Sequence, residues 1–469
     1  MSHTIFSSAD ISVSQYPFDR ITDLRMVKQV NDHAKLTVTG IVSEDVLDKY
    51  VEQVEADEIL QVTVKDKDRT IPLFQGVITN MSVQAIRDVR SITIEAHSAS
   101  VKMDIRKESR SYQDEHMTYN QLFRNLLKAY PASDLIDEAT GGKAIGSLLV
   151  QYQETDWVFM RRLASHFHAP LIPVSSSEGT KVYIGVPDSG DPKELQEFNY
   201  AIQKDLREYK IKSENGIDGI NEQSSISYSV VSHKWLELGT SVQFHRNKLF
   251  VSKVETRLEH DVLTHTYELK SETGLRYPTE YNSALAGTSL FGKITDVAKD
   301  KVKLNLHIDR GQSGAAMWFP YSTVYSSPDG SGWYCMPEVG DEVRLYFPDK
   351  EEKNAFAASS VDVESSDPQK RSDPAVKSIS TKYGKQIVFK PGAVEIIGSG
   401  QLLMRLTDDG GIEINSDKKI SLNAQEDIEI IGGAKILLQG EAGIELNQAN
   451  ASMKIEDQVT MSGGRVNIE

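Results

Sequence analysis

Apolar residues recur at every eighth position towards the carboxyl end of the chain, from Val388 to Ile444. In most repeats a second apolar residue follows two positions later, and the surrounding residues are mainly polar, charged or Gly. Side chains at i and i+2 of a strand point to the same face of a sheet. Each octad is therefore predicted to form a strand and a turn. A helix is excluded, because a repeat of eight drifts around the 3.6-residue helical turn and the β-branched and Gly content disfavours it.

Two inward side chains per octad are too few for one chain to wrap a core around itself. Three identical chains winding about a shared axis would bury them, since each chain would supply one side of a triangular prism. We therefore predict a homotrimer with a triple-stranded β-helix formed by three chains over residues 385–469. A single-chain β-solenoid is the alternative interpretation. The predicted trimer core consists of Val388, Ile396, Met404, Leu406, Ile412, Ile414, Ile420, Leu422, Ile428, Ile430, Ile436, Leu438, Ile444 and Leu446.

The octad spacing loosens beyond Leu446, where the apolar pairs are Met453/Ile455, Val459/Met461 and Val466/Ile468. We expect the prism to narrow or change pitch there. The last pair, Val466 and Ile468, would leave an apolar end face, so these two residues are predicted to contact a separate tip protein.

Residues 285–362 contain strand-like runs at 292–297, 302–308, 317–320 and 342–347, separated by Gly, Asp and Pro turn residues. This spacing predicts a small five-stranded barrel. The following residues, 363–384, are charged and Ser-rich and contain Pro368 and Pro374. They are predicted to form a linker.

Residues 1–280 mix strands and helices. Alternating apolar and polar residues predict strands at 36–42, 59–64, 73–83 and 91–97. A helix is predicted within 117–130, with Thr118 as its N-cap and Pro131 after its end. Thr155 is predicted to cap a second helix, with Asp156 in its first turn. The fold class is therefore mainly β with some α.

Three motifs resemble the VgrG and phage baseplate-hub and tail-spike family of contractile injection systems. The segment GWYCMPEVGDEV at 332–343 resembles the OB-fold barrel of that family, with Trp333, Pro337, Gly340 and Asp341 as motif residues. The segments LFQGVI at 73–78 and QYQETDWVFMRRL at 151–163 are similar to parts of the family's hub. The order of a barrel followed by an octad rod is also typical of the family.

The resemblance implies a hub region at 1–280 that holds two barrel-like domains with inserted helices. A trimer of such hubs would present a quasi-sixfold ring to a hexameric tube protein. The resemblance also implies baseplate proteins as partners and a PAAR-like protein at the tip.

Composition narrows the class of partner. The chain has 52 Lys and Arg against 68 Asp and Glu, a formal charge of −16, and so acidic a protein would repel nucleic-acid phosphates. It has no run of about 18 apolar residues and no apolar segment near its start. We therefore expect synthesis in the bacterial cytoplasm without a signal peptide, assembly into the injection particle or baseplate, and expulsion on contraction. The single Cys335 cannot form an intrachain disulfide and is expected to be a small buried apolar residue.

No catalytic, metal or cofactor site is predicted. His166 and His168 form an H-x-H pair, but residues two apart on a helix point to different sides. A glycosidase needs two carboxylates about 5–10 Å apart across a cleft, and the linker is too short to hold an inserted muramidase domain.

The sequence thus predicts a non-enzymatic homotrimeric spike of a contractile injection system, either type VI-like or phage-tail-like. Such a spike links the tube and baseplate to the tip and pierces the target membrane or envelope mechanically. Two alternatives are a tail spike that degrades cell-wall polysaccharide and a tail spike that binds a receptor.

Overall fold

The structure is a computed structural model that describes residues 5–43, 47–67, 69–86, 89–188, 190–311, 317–362, 367–465 and 467. The chain divides into two compact units, Met1–Glu364 and Ser365–Glu469. Strands dominate both units and most pair antiparallel, which confirms the predicted fold class of mainly β with some α. Short 3-10 helices lie at Ser8–Asp10, Ala99–Asp104, Glu222–Ser225, Thr273–Leu275, Ser283–Leu285, His307–Asp309, Glu352–Asn354 and Pro368–Arg371.

The first half-sheet of unit one lies at its amino-terminal end. Its strands are β1 (Ile11–Val13), β2 (Arg20–Gln29), β3 (Lys35–Ile41), β4 (Ile59–Asp66), β5 (Arg69–Ile86) and β6 (Val89–Ser98), with helix α1 (Leu47–Gln53) after β3. They follow the order β1-β4-β5-β6-β3-β2. Burial alternates along the strands, as at Leu36 and Val38 of β3, because one face covers a core and the other does not.

A layer of helices and short strands follows. It comprises β7 (Lys107–Tyr112), α2 (Tyr119–Leu127), β8 (Asp134–Asp137), β9 (Leu149–Thr155), α3 (Asp156–Ser165), β10 (Leu171–Val174) and β11 (Lys181–Ile184). Both helices begin at the predicted N-caps. The Thr118 hydroxyl accepts the N–H of Gln121, and the Thr155 hydroxyl accepts the N–H of Val158, each at 3.2 Å. These two N-cap predictions are confirmed.

The second half-sheet contains β12 (Lys193–Leu195), β13 (Tyr200–Lys204), β14 (Ile226–Ser232), β15 (Ser241–Phe244), β16 (Asn247–Glu259) and β17 (Val262–Lys270), with helix α4 (Leu206–Glu214) after β13. Its order is β16-β17-β14-β13, and β15 lies between β16 and β12. Strand β16 also pairs with β2, so the two halves form one 12-stranded sheet with two separate cores.

A five-stranded sheet completes unit one. Its strands are β18 (Ser289–Ala298), β19 (Lys301–Leu306), β20 (Trp318–Pro320), β21 (Glu342–Tyr346) and β22 (Phe356–Ala358). The order is β20-β19-β18-β21-β22, and a parallel bridge between Tyr321 and Ala357 joins its two ends. A strand forms within each of the four predicted runs, although the run at 302–308 ends in the 3-10 helix His307–Asp309.

Unit two contains two antiparallel meanders. The first consists of β23 (Lys377–Ser380), β24 (Gln386–Lys390), β25 (Ala393–Ile397), β26 (Leu403–Thr407) and β27 (Gly411–Asn415). The second consists of β28 (Ile444–Gln448), β29 (Ala451–Ile455) and β30 (Val459–Ser462). Strand β23 lies within the predicted linker at 363–384, where Ile379 pairs across from Ile387 of β24.

Candidate assembly interface

The register of the first meander places its large apolar residues on one face. Directly opposed residues on neighbouring antiparallel strands share a face, so the four pairings define it. Most of these residues are open in the single chain, from 37% exposed at Leu406 to 69% at Ile412. We call this set the apolar face: Ile379, Ile387, Phe389, Val394, Ile396, Met404, Leu406, Ile412 and Ile414.

The opposite face of the same meander carries a ladder of charges. Glu395 contacts Lys390 at 2.7 Å and Arg405 at 2.9 Å, and Arg405 also contacts Glu413 at 3.3 Å. The hydrogen bond from Lys390 is the largest of the effects that lower the pKa of Glu395. The meander therefore has one face suited to water and one face that needs a cover.

Val388 lies on the charged face. The sequence places it in the same series as Ile396, but the register opposes Val388 to Glu395 and brings Ile387 opposite Ile396. The turn between β24 and β25 sets this register, which the octad count alone does not determine. Val388 is 6% exposed within the chain.

Residues 416–443, between the two meanders, contain no strand although all of them are described. Their predicted core residues are 49% to 70% exposed. An extended segment without a neighbour leaves backbone N–H and C=O groups open for another chain. The predicted core residues here are Ile420, Leu422, Ile428, Ile430, Ile436 and Leu438.

The second meander repeats the one-sided pattern. Its register places Ile444, Leu446, Met453, Ile455, Val459 and Met461 on one face. The other face carries polar residues such as Glu445, Lys454 and Thr460. The predicted tip contacts, Val466 and Ile468, lie outside the described residues.

The barrel motif forms the turn that leads into β21. Gly340 has a φ of 99°, a conformation that side chains other than Gly rarely adopt. The Asp341 carboxylate accepts the N–H of Glu338 at 2.9 Å, and this Glu is preceded by Pro337. The Trp333 side chain is exposed, with 52% of the residue open to solvent, and the Trp333 backbone N–H donates to the Tyr325 carbonyl at 2.8 Å. These residues shape a turn and an adjacent loop.

A buried Arg connects helix α3 with the segment between β21 and β22. Arg162 of α3 binds both Glu154 carboxylate oxygens, at 3.0 and 2.9 Å, and its Nη1 binds Glu352 at 2.9 Å. All three side chains are less than 10% exposed. Burial raises the pKa of the Glu154 carboxyl, against the lowering effect of the Arg162 guanidinium. No feature of the sequence predicted Glu352 as a partner of Arg162, because the two residues lie 190 positions apart along the chain.

Asp156 is predicted to interact with the dipole of α3, and in the structure it also contacts several side chains. Its carboxylate accepts hydrogen bonds from Gln151 at 2.9 Å and from the Tyr130 hydroxyl at 2.7 Å, and it lies 3.3 Å from Arg110. Together with the capping Thr155, these contacts fix the start of α3 against β7 and β9. The motif at 151–163 thus has a packing role for most of its polar residues.

Ser100, His33 and Asp104 lie together in an order that resembles a catalytic triad. The Ser100 hydroxyl is 2.8 Å from His33 Nδ1, and His33 Nε2 is 3.5 Å from an Asp104 oxygen. Ser100 is only 1% exposed, so a substrate has no access to its hydroxyl. Burial also lowers the pKa of His33. The group is a polar contact between the segment before β3 and the 3-10 helix Ala99–Asp104, and it offers no accessible nucleophile.

The other candidate residues are held separately. His166 Nε2 lies 3.2 Å from the Glu280 carbonyl, and His168 Nδ1 lies 2.8 Å from the Tyr277 carbonyl. Among the described residues, no three His, Cys, Asp or Glu side chains are grouped as metal ligands. Cys335 is exposed, so the expectation of a buried Cys is wrong. It lies on the loop before the barrel turn, which the strands do not cover.

In the part of the chain that the structure describes, no helix is both long and apolar enough to cross a bilayer. No curated protein matches the sequence. A family model described as the Alg8 N-terminal domain matches residues 58–203, which is under a third of the chain.

The fold of this chain is similar to the folds of a type VI secretion component and of a VgrG complex. One solved structure with this fold is the E. coli c3393 protein, described as a type VI secretion component with structural similarity to the T4 tail proteins gp27 and gp5. It is 13% identical with a TM-score of 0.51, over 75% of this chain and 99% of that one. A chain of the Francisella PdpA-VgrG complex, lidded, is 10% identical with a TM-score of 0.56, over 84% and 76%. In the lidless complex the identity is 10% and the TM-score 0.53, over 84% and 93%.

Proposed function

We propose that this protein is a homotrimeric, non-enzymatic spike of a contractile injection system that pierces a target envelope. The observation that carries the proposal is the apolar face of the first meander. It is mostly exposed in one chain, while the opposite face of the same sheet holds an ion-pair ladder. A sheet with this division needs an apolar cover on one side only.

Copies of the same chain are the cover that fits. Their apolar faces would meet along a common axis, and the charged faces would point to solvent. Residues 416–443 have open backbone groups and exposed apolar residues at octad spacing, so strands from neighbouring copies would complete their hydrogen bonds. The octad period and the resemblance to the spike family favour three copies winding into a triple-stranded β-helix over 385–469.

The remaining parts would serve assembly and force transmission. The proposed hub spans 1–280 and would contact a hexameric tube protein and the baseplate. The proposed OB-fold barrel spans 285–362, and its strand order with the parallel closing bridge supports that assignment. The buried contact of Arg162 with Glu352 would keep barrel and hub in register under load. A PAAR-like protein would cover the carboxyl end.

The enzyme alternative has no observation in its favour among the described residues, since the triad-like group at Ser100 is closed to substrate. No specific observation on the described residues of unit two favours the receptor-binding alternative. The proposed working sequence is synthesis in the cytoplasm, incorporation into the particle and expulsion on contraction.

Sedimentation equilibrium of the purified full chain tests the assembly state. The chain has a mass of 52.3 kDa, and we expect a single species of three times that mass at micromolar concentration. A monomer or a dimer would contradict the proposal. Particles assembled with the Ile420→Asp and Ile428→Asp double variant should lose the ability to permeabilise target cells. Cell-wall hydrolysis that is abolished by one carboxylate substitution would instead favour the enzyme alternative.

A further inference from the structure

The two half-sheets of unit one repeat one another strand by strand. Each contains a long hairpin, β5–β6 in the first and β16–β17 in the second, and each hairpin is interrupted by a bulge, at Thr79 and at Ser252. When the hairpins are aligned on this bulge, the sequence ITIEAHS at 92–98 matches HTYELKS at 265–271. Three of the seven residues are identical, so the hairpins are structural counterparts.

The turns that precede the hairpins also correspond. Each turn closes with an N–H donated to a glutamate carbonyl, that of Glu55 in the first half and that of Glu237 in the second, both at 3.2 Å. Each contains a residue with positive φ, Asp57 at 71° and Gly239 at 80°. Glu55 is therefore the counterpart of Glu237.

The strands that follow each hairpin across its half-sheet correspond in the same way. Strands β3 and β14 pair with β6 and β17 at matching positions, and β2 and β13 are the next strands outward. Through these registers Met26 of β2 corresponds to Ile202 of β13, and Lys28 corresponds to Lys204.

Within the chain, β2 occupies the edge of β16 and seals the junction between the halves. Met26 lies opposite Thr256, and Lys28 lies opposite Val254. These four residues are at most 1% exposed. The Lys28 ammonium donates to the Glu237 carboxylate at 2.9 Å. The strand pairing, this buried ion pair and the more exposed ion pair of Arg25 with Glu255, at 3.0 Å, hold the junction.

The junction strands β2 and β16 have β13 and β5 as their counterparts, and each of these counterparts has an open edge. Strand β13 pairs with β14 alone, and in the described chain β5 beyond Ile78 pairs with β6 alone. Ile202 is 58% exposed, where its counterpart Met26 is 1% exposed. Val83, the counterpart of Thr256, is half-buried. Lys204 forms an ion pair with the exposed Glu222 at 2.6 Å. Two free edges with apolar residues are thus left without the neighbour that their counterparts have.

We propose that β13 of one copy pairs with β5 of a neighbouring copy in the register that β2 adopts with β16. This places Ile202 opposite Val83 of the neighbouring copy and Lys204 opposite its Met81. Lys204 then exchanges Glu222 for Glu55 of the neighbouring copy, as Lys28 binds Glu237. The inference rests on the proposed homotrimer, because three copies in a closed ring would use each open edge once.

Disulfide cross-linking of the full chain tests the register. The variant carries Cys335→Ser, Ile202→Cys and Val83→Cys. Directly opposed residues on antiparallel strands have Cβ atoms about 4.5–5.5 Å apart, close to the spacing that a disulfide needs. Oxidation should give a covalent dimer and then a covalent trimer on a non-reducing gel. The matched control replaces Val83→Cys by Ser82→Cys, which points to the other face, and should cross-link at least tenfold more slowly.

Charge reversal supplies a second measurement. Lys204→Glu and Glu55→Lys should each reduce cross-linking at least tenfold, and the double variant should restore it. Sedimentation of the same samples separates the possible failures. A trimer without cross-links would overturn the strand pairing and leave the spike intact, whereas a monomer without cross-links would overturn both. Covalent products larger than a trimer would refute the closed ring.

Discussion

Ile414→Asp is the substitution that bears most directly on the proposed spike. Ile414 belongs to the apolar face, opposite Met404 in the pairing of β26 with β27. It is 53% exposed in the single chain, so a polar residue there leaves the meander itself largely undisturbed. In the trimer, however, three carboxylates would enter the core.

The magnitude follows from the exposed fraction. Burying a whole Ile side chain contributes about 2 kcal/mol, so the open half of Ile414 contributes about 1 kcal/mol per copy and about 3 kcal/mol per trimer. An unpaired buried carboxylate costs several kcal/mol more for each copy. The total is on the order of 10 kcal/mol, and each 1.4 kcal/mol changes an association constant tenfold. The association constant of the Ile414→Asp variant should therefore fall by several orders of magnitude.

Asn415→Asp is the matched control, because it adds the same charge one residue later. Asn415 lies on the charged face, where its amide donates to Glu413 at 2.8 Å. An added exposed carboxylate there should change the association free energy by less than about 1 kcal/mol. The assay is sedimentation of both variants and the unaltered chain from nanomolar to micromolar concentration. Equal association of the Ile414→Asp variant and the control would refute the placement of the apolar face in a core.

Three further predictions concern the stability of unit one. Arg162→Ala should lower the free energy of unfolding by about 3–5 kcal/mol in urea titrations, because it leaves two buried carboxylates unpaired, whereas Arg161→Ala on the more exposed side should cost less than about 1 kcal/mol. Burial lowers the pKa of His265 to about 3. Below pH 6.5 the His265 side chain is therefore protonated in the unfolded chain but stays neutral in the folded chain. Stability should fall by about 2 kcal/mol between pH 6.5 and pH 5, and a His265→Gln variant should show a flatter pH profile. Gly76→Ala would bring a Cβ within 2.1 Å of the His97 carbonyl oxygen, so thermal unfolding should show a marked loss of stability that an unchanged melting temperature would contradict.

The local rules of the sequence predicted the strand and cap positions well. The alternating runs of the first half-sheet, the four barrel runs and both Thr N-caps depend on residues close together in the chain. Side-chain periodicity and capping chemistry act over a few residues, so no tertiary information is needed to read them.

Faces and registers proved harder to predict. Val388 belongs to the octad series by spacing, but the hairpin between β24 and β25 turns it to the charged face. Strand β23 lies in a stretch whose Pro and Ser content predicted a linker, because Ile379 gains a partner in β24 that composition does not reveal. A strand pairing depends on its partner, and a one-residue shift reverses every side chain.

The sequence alone predicted one-sided strands with no core of their own at the carboxyl end, because an apolar side chain at every eighth position is a local pattern. In the single chain such strands form on either side of residues 416–443 but not within them. The tertiary structure decided which residues meet across long separations: Arg162 with Glu352, Lys28 with Glu237, and the two half-sheets as counterparts. The sequence shows little of the correspondence between the two half-sheets. They share register, bulge position and turn geometry, but most of their residues differ. Contacts of this kind form only when distant segments are brought together in a shared core, which is why they follow from the fold and not from the sequence pattern.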